Sequence, residues 1–412
     1  MSERYDEAEG VALVPRAEDG RLALAGVVRR TYGVSSGRAE LADEQRPLVD
    51  VPDLAMGSGE SAILVDDSDI VAPKLATDVV VRGHAYAPEP SRRLTIGVAV
   101  GTAVRTLEVV GERRATVSAD GGVRFSSPEP FERLELSYEH AYGGYDEHAH
   151  QIMAPLDDET QTTMAELAKL CDDESEIRLS QDEAADEPRA EPPLRFLGPF
   201  AYPRNPVGRA YFIDLDRVRA DGAALPRIED PEDRLVPERL FLASPLRWID
   251  APIPGSLGWM QHSWYPRYAR FMGPLLQHDE PTKAIRETEL GDGDDLVRMP
   301  ARGMDRVFPR ALQGAAPGLA RVRLVGNEPI ELRNLHPSEP SWRFELPGEA
   351  PQITLQPPGL QALRPKAVLQ TVRIEPDRDR VSLTWCAAVP LMAEVGQEFL
   401  EETVLGVRFV RI

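Results

Sequence analysis

Ala72-Pro73-Lys74-Leu75-Ala76-Thr77-Asp78-Val79-Val80-Val81-Arg82-Gly83-His84-Ala85-Tyr86-Ala87-Pro88 holds the β-branched run Val79–Val81, closed by a glycine and bounded by prolines. Such a run fits a buried strand better than a helix. Downstream, Leu94, Ile96, Val98 and Val100 alternate with other residues, Gly101-Thr102-Ala103 supplies a turn, and Val104 to Val110 returns, which predicts a hairpin. Leu134, Leu136 and Tyr138 then alternate with Glu135, Ser137 and Glu139, the pattern of a strand with one face in the core and one in water. The first 140 residues therefore read as an antiparallel sheet.

The C-terminal part repeats the pattern. Val368–Ile374 and Val381–Trp385 flank the turn Glu375-Pro376-Asp377-Arg378-Asp379, and Val404 to Ile412 is apolar enough to form a closing strand. The 37 prolines and 31 glycines are spread along the chain and interrupt any long helix. The expected class is mainly β: an antiparallel β-sandwich or barrel-like sheets, with few short helices and long proline-rich loops.

Composition divides the chain into three. Residues 1–156 form an N-terminal β-rich part, and 194–412 a C-terminal β-rich part that could be one continuous domain with the first. Residues 157–193 carry thirteen Asp/Glu against Lys169, Arg178 and Arg189, a local charge of −10. Met164, Leu167, Leu170 and Cys171 sit there at helical spacing, and the stretch reads as an inserted acidic arm. Residues 277–318 turn polar and glycine-rich and read as a long surface connection.

The net charge of −21 repels phosphate backbones and anionic lipid, so neither nucleic acid nor a membrane surface is an expected partner; a basic protein surface is. Cys171 and Cys386 are the only cysteines, too few for a disulfide framework or a thiolate metal site. The N-terminus lacks the basic-then-apolar pattern of a signal peptide, which suits a cytoplasmic protein.

Several patterns invite a catalytic reading. Gly33-Val34-Ser35-Ser36-Gly37 fits the nucleophile pattern G-x-S-x-G, follows a strand-like run and precedes the helix-compatible Arg38–Gln45, with His84, His140 and His262 available as bases. The β-rich surroundings lack the alternating βα pattern of such an elbow, so the stretch is read as a polar loop. His148 and His150, near His140, Asp146 and Glu147, could place two imidazoles on one strand face, but they adjoin the acidic arm and are read as loop residues. Glu229, Asp230, Glu232 and Asp233 offer carboxylate pairs for glycoside hydrolysis; their close spacing argues for a solvated corner, because that chemistry needs two carboxylates across a cleft. Gly57-Ser58-Gly59 and Gly143-Gly144 lack the lysine of a phosphate loop and read, with Asn205-Pro206-Val207-Gly208, as turns. No catalytic, cofactor-binding or metal-binding residue is expected. The mix of aromatic, methionine and arginine in Trp259–Arg267 is that of an interface centre, with Trp264 expected as an inter-sheet plug and Trp259, Tyr265 and Arg267 as candidate partner-binding residues.

A set of short motifs runs in order along nearly the whole chain: Leu22–Tyr32, Glu44-Gln45-Arg46-Pro47-Leu48, the Ala72–Pro88 stretch, His140-Ala141-Tyr142-Gly143-Gly144 and Asn205–Gly208. Leu225-Pro226-Arg227-Ile228-Glu229, Trp264-Tyr265-Pro266-Arg267, Leu324-Val325-Gly326-Asn327-Glu328 and Gln370–Trp385 complete it. In this set the chain resembles a bacterial domain-of-unknown-function family found beside type VI secretion genes. Where that family often has an aromatic after Gly111-Glu112-Arg113, this chain has Arg114-Ala115-Thr116. The resemblance implies a non-enzymatic adaptor or chaperone that loads a toxin effector onto a PAAR or VgrG spike protein. The alternatives are a hydrolase using the Glu229–Asp233 carboxylates or Ser35, and a structural spike or baseplate component. The residues themselves do not specify the oligomeric state.

Overall fold

A computed structural model describes residues 8–15, 22–56, 62–71, 73–143, 205, 207–208, 222–240, 252, 254–261, 313–316, 318–320, 323–392 and 395–412. Up to residue 143 the strands are β1 (Glu9–Pro15), β2 (Leu22–Ser35), β3 (Arg38–Leu41), β4 (Asp53–Met56), β5 (Ala62–Asp66), β6 (Asp78–Val81), β7 (His84–Ser91), β8 (Arg93–Val100), β9 (Ala103–Val110), β10 (Arg114–Val117), β11 (Val123–Phe125) and β12 (Phe131–Glu135). From residue 222 onward come β13 (Ala223–Ala224), β14 (Ile228–Glu229), β15 (Pro329–Arg333), β16 (Ser341–Glu345), β17 (Glu349–Gln356), β18 (Val368–Glu375), β19 (Arg380–Pro390) and β20 (Val404–Arg411). Among the described residues the only α-helices are the short Pro237–Leu240 and Gln397–Glu402. The chain is mainly β, and its sheets curl into a half-barrel.

Eleven strands form the main sheet, in the order β14-β9-β8-β15-β16-β3-β2-β19-β18-β6, with β1 added beside β2. Strands from before the acidic arm and from after it thus share one sheet. Most pairs are antiparallel, but β18 pairs with β6 and β16 with β3 in parallel. Val79–Val81 forms the strand expected of it, and its partner is Val372–Ile374 at the other end of the chain. Both sequence-predicted hairpins are present: β8 with β9 around Gly101, and β18 with β19 around a 3-10 turn at Pro376–Arg378.

β2 runs for 14 residues and is buried along most of its length. One side pairs with β19 from Ala23 to Gly33, and the other is covered by β1 at its start and β3 at its end. The gap between β1 and β3 is filled by a side chain. Gln45 Oε1 accepts from Thr31 N at 2.9 Å while its Nε2 donates to Thr31 O at 3.0 Å, so an amide completes the edge as a strand would. Over this region lies the β17–β20 ribbon, with Ile353, Leu355 and Leu405 against Leu24 and Val28. Gly26 leaves room for it, because a Cβ there would stand 2.8 Å from Ile353 Cγ2.

The main core fills the inside of the half-barrel, with Val79, Val81, Ile96, Leu107, Leu332, Val372, Leu383 and Trp385. A smaller cluster of Ala115, Tyr142, Ala223, Leu225 and Leu235 packs beneath the β11-β10-β13 sheet. Two family-like motifs interlock beside it: Asn205 Nδ2 donates to Tyr138 O at 2.8 Å and to Tyr142 O at 3.1 Å, and a Cβ on Gly143, where φ is +113°, would collide with Asn205.

One expectation needs correcting. The end of the 277–318 stretch is core and not surface: Gln313, Ala315 and Ala316 are buried, and Leu319 with them. The reason is that the carboxylate of Asp78 captures this segment's backbone, as the next section describes. The rest of the stretch, up to residue 312, lies outside the described residues, as does the acidic arm.

Candidate functional site

The polar residues of the Pro73–Asp78 motif turn inward. Asp78, fully buried at the head of β6, accepts from Lys74 Nζ at 2.7 Å, Gln313 Nε2 at 2.8 Å, Gly314 N at 3.0 Å and Ala315 N at 3.1 Å. Lys74 is itself 2% exposed, and its ammonium sits 5.2 Å from the centre of the Trp259 ring. Thr77 Oγ1 donates to Leu369 O and accepts from Leu324 N. Every charge here has a partner, as burial demands.

A second buried ion cluster lies farther along β18, around Arg373 and Glu375. Asp66, ending β5, lies 2.9 Å from Arg373 Nε and 3.7 Å from both Arg46 and Arg82. Burial pushes its carboxyl up to about 6, against the pull of the arginines. Glu375 takes Arg46 at 2.7 Å and Arg373 at 3.3 Å, and Asp69 takes Arg29 at 2.7 Å. Arg46 and Gln45 of the Glu44–Leu48 motif are thereby accounted for as structural ties.

Between the β4–β5 ribbon, β6, a 3-10 turn at Tyr138–His140 and the Gly258–Gln261 segment lies a cavity of about 260 Å³. Its lining includes Ala55, Met56, Leu64, Val80, Leu136 and Trp259, with Arg82, Glu135, His140, Gln261 and Arg373 as polar members. Gln261 Oε1 accepts from Leu64 N at 3.0 Å and so anchors β5 to this wall. Trp259 Nε1 and Gln261 Nε2 are buried with no hydrogen-bond partner among the described residues.

The wall formed by β4 differs from the others. All four of its residues are exposed. Leu54 is 56% exposed, Met56 70% and Val51, just before the strand, 74%. β4 pairs only with β5, so among the described residues its outer edge has no strand against it. An exposed apolar strand with an open edge is a feature that soluble proteins normally avoid unless something binds there.

The residues singled out from the sequence fall elsewhere or are engaged. Ser35 ends β2, and Ser36 and Gly37 both have positive φ, as a two-residue type I′ hairpin requires. Arg38–Leu41, the start of the helix-compatible stretch, is strand β3, so the strand-turn-helix of a nucleophile elbow is not formed here. His84 bonds Asp377 at 2.6 Å and has Arg133 3.0 Å from its Nε2; Tyr86 also donates to Asp377, and burial first, then that carboxylate, raises the phenol's pKa. This set ties β7 to the β18–β19 turn and includes no serine.

Glu229 is buried against Arg113, Asp230 lies 3.1 Å from Arg105, and Asp233 pairs with Arg239. Glu229, Asp230 and Asp233 thus each have their own guanidinium, and Glu232 sits in the same turn with its backbone N–H on Asp230 Oδ1. Trp259, one of the candidate partner-binding residues, is 5% exposed and packs in the core, where its ring walls the cavity near the Lys74 ammonium. Tyr265, Arg267, Trp264, His148, His150 and His262 lie outside the described residues. Among the described residues no three His, Cys, Asp or Glu side chains form a metal-sized group, and no helix is long and apolar enough to cross a membrane. Cys386 is buried in β19, and burial pushes its thiol up to about 12.

β4 was passed over in the sequence because four residues are too few for periodicity to register. A signal was present: Val51-Pro52-Asp53-Leu54-Ala55-Met56 is apolar, punctuated by proline and aspartate, and followed by Gly57-Ser58-Gly59.

Comparison with curated proteins and with solved structures found no match. A family model described as an uncharacterized protein conserved in bacteria matches residues 19–192 and 198–386, which takes in β2 to β18 and most of β19. With most of its length matched in colinear order, the chain belongs to that bacterial family, DUF2169.

Proposed function

We propose that this chain is a non-enzymatic adaptor or chaperone of type VI secretion, which binds a toxin effector or a PAAR or VgrG spike component in the cytoplasm and promotes its loading. The observation that carries the protein-binding part is β4, an exposed apolar strand with an open edge beside a lined cavity. Two of the charged residues lining that cavity, Arg82 and Arg373, are tied to the buried Asp66 in one ion cluster. The motif resemblance supports the type VI assignment.

Co-expression of the full chain with PAAR, VgrG and toxin proteins tests this reading. The expected result is a stoichiometric complex with at least one of them by size exclusion, and loss of soluble cargo when the chain is omitted. A folded chain that binds none of the three, with cargo solubility unchanged, overturns the proposal.

A further inference from the structure

The β4–β5 ribbon combines three features. Leu54, Met56 and Val51 are exposed, the outer edge of β4 has no strand against it among the described residues, and Ala55 and Met56 line the cavity. A two-stranded ribbon is a weak unit by itself, and a third strand would stabilise it. Side chains alternate along a strand, so a chain laid against β4 would turn every second residue toward the cavity side. At about 260 Å³ the cavity is below the roughly 300–1,000 Å³ typical of small-ligand pockets, which suits it to anchoring a side chain. Trp259 Nε1 and Gln261 Nε2 have no partner among the described residues and offer donors in its wall.

Charge selects the occupant. From Pro47 to Pro73 the sequence holds Asp50, Asp53, Glu60, Asp66, Asp67 and Asp69 and no lysine or arginine. Asp66 and Asp69 are neutralised by arginines from other strands, whereas Asp50 and Asp53, beside the exposed apolar residues, have no cation against them among the described residues. A second copy of this chain would set these aspartates against themselves across an antiparallel β4 pair, between molecules of −21 charge each. A partner segment with lysine or arginine at its flanks would meet them favourably.

We infer that β4 is a docking edge for an extended apolar segment of a partner protein, flanked by basic residues and added to the β4–β5 ribbon as a further strand. The inference rests on the adaptor reading and names the segment that an adaptor of this shape would hold.

The probe is a fluorescein-labelled peptide of about nine residues, alternating valine and threonine between lysine pairs, titrated with the full chain by fluorescence anisotropy. Methylating alternate backbone nitrogens of the peptide, which removes strand hydrogen bonds and keeps the side chains, is expected to weaken binding at least about tenfold. Replacing the lysines by glutamates is expected to do the same at low salt. The double variant Leu54→Lys, Met56→Lys is expected to lose the peptide while melting at the parent temperature. Equal binding by the methylated peptide, or by the double variant, overturns the inference, as does a homodimer in sedimentation velocity that the double variant dissolves. The two readings separate cleanly: a natural cargo still captured by the double variant leaves the adaptor standing and removes the edge. A chain that captures no cargo yet discriminates the peptides in this order keeps the edge and removes the adaptor.

Discussion

Two walls of the same cavity are built on opposite principles. The β6 wall is over-determined: Asp78 receives four hydrogen bonds, Lys74 is held between that carboxylate and the Trp259 ring, and Val79 to Val81 are all buried. The β4 wall pairs with one strand and is exposed throughout. Rigid backing on one side and unsatisfied edge on the other is what a recognition surface needs, since a partner gains most by binding a strand whose support does not move. The difference also teaches that motif strength and function need not coincide: the motif most like a signature is the one most deeply committed to the fold.

The contrast can be broken most sharply at Asp78. Asp78→Ala strands the Lys74 ammonium and leaves the Gly314 and Ala315 amides unpaired, with an expected loss of about 3–5 kcal/mol in urea denaturation. A loss below about 1 kcal/mol would mean that the wall is not rigid.

Acid titration probes the neighbouring cluster. The Asp66 carboxyl, ordinarily at 3.8, is held near 6 in the fold, so between those values the folded chain carries the extra proton. Stability from this group is therefore greatest at low pH and falls as pH rises through about 4 to 6, by up to about 3 kcal/mol. Asp66→Asn should flatten that slope relative to the parent in melts taken across the window. A parent slope of the opposite sign that the variant abolishes would show that the arginines, and not burial, dominate.

Gly314→Ala is the next largest. Its Cβ would stand 2.5 Å from the Trp259 ring, and displacing that ring should cost about 1–3 kcal/mol and shift tryptophan fluorescence. Smallest is the change on the open wall. Leu54→Ser and Asp53→Ala should each alter stability by no more than about 0.5 kcal/mol, because neither residue is packed. A large loss at either would show that β4 belongs to the core after all.

How much of this was legible depends on distance along the chain. The β8–β9 and β18–β19 hairpins followed from local alternation and turn residues, because both strands and the turn lie within one window. That Val79–Val81 would be a strand was clear; that Val372–Ile374 would lie parallel to it was not, since nothing local encodes a partner some 300 residues away. Gln313–Leu319 was misread because a window rich in charge and glycine hid a short buried segment. Of the site, the signal at β4 was faint, and the burial of Trp259 was not legible because composition cannot tell a wall from a surface.

The pairing of β2 with β19 has a consequence for how the protein is made. Arg29 on β2 bonds Thr384 on β19 across 355 positions, and β6 also waits for β18. At ribosomal speeds of roughly 5–20 residues per second, the N-terminal strands are synthesised tens of seconds before their partners exist. Over that interval a 14-residue, largely apolar strand has no completed sheet to join. Until its partners are made the strand needs protection, and the protein's yield should depend on nascent-chain chaperones more steeply than its final stability would suggest.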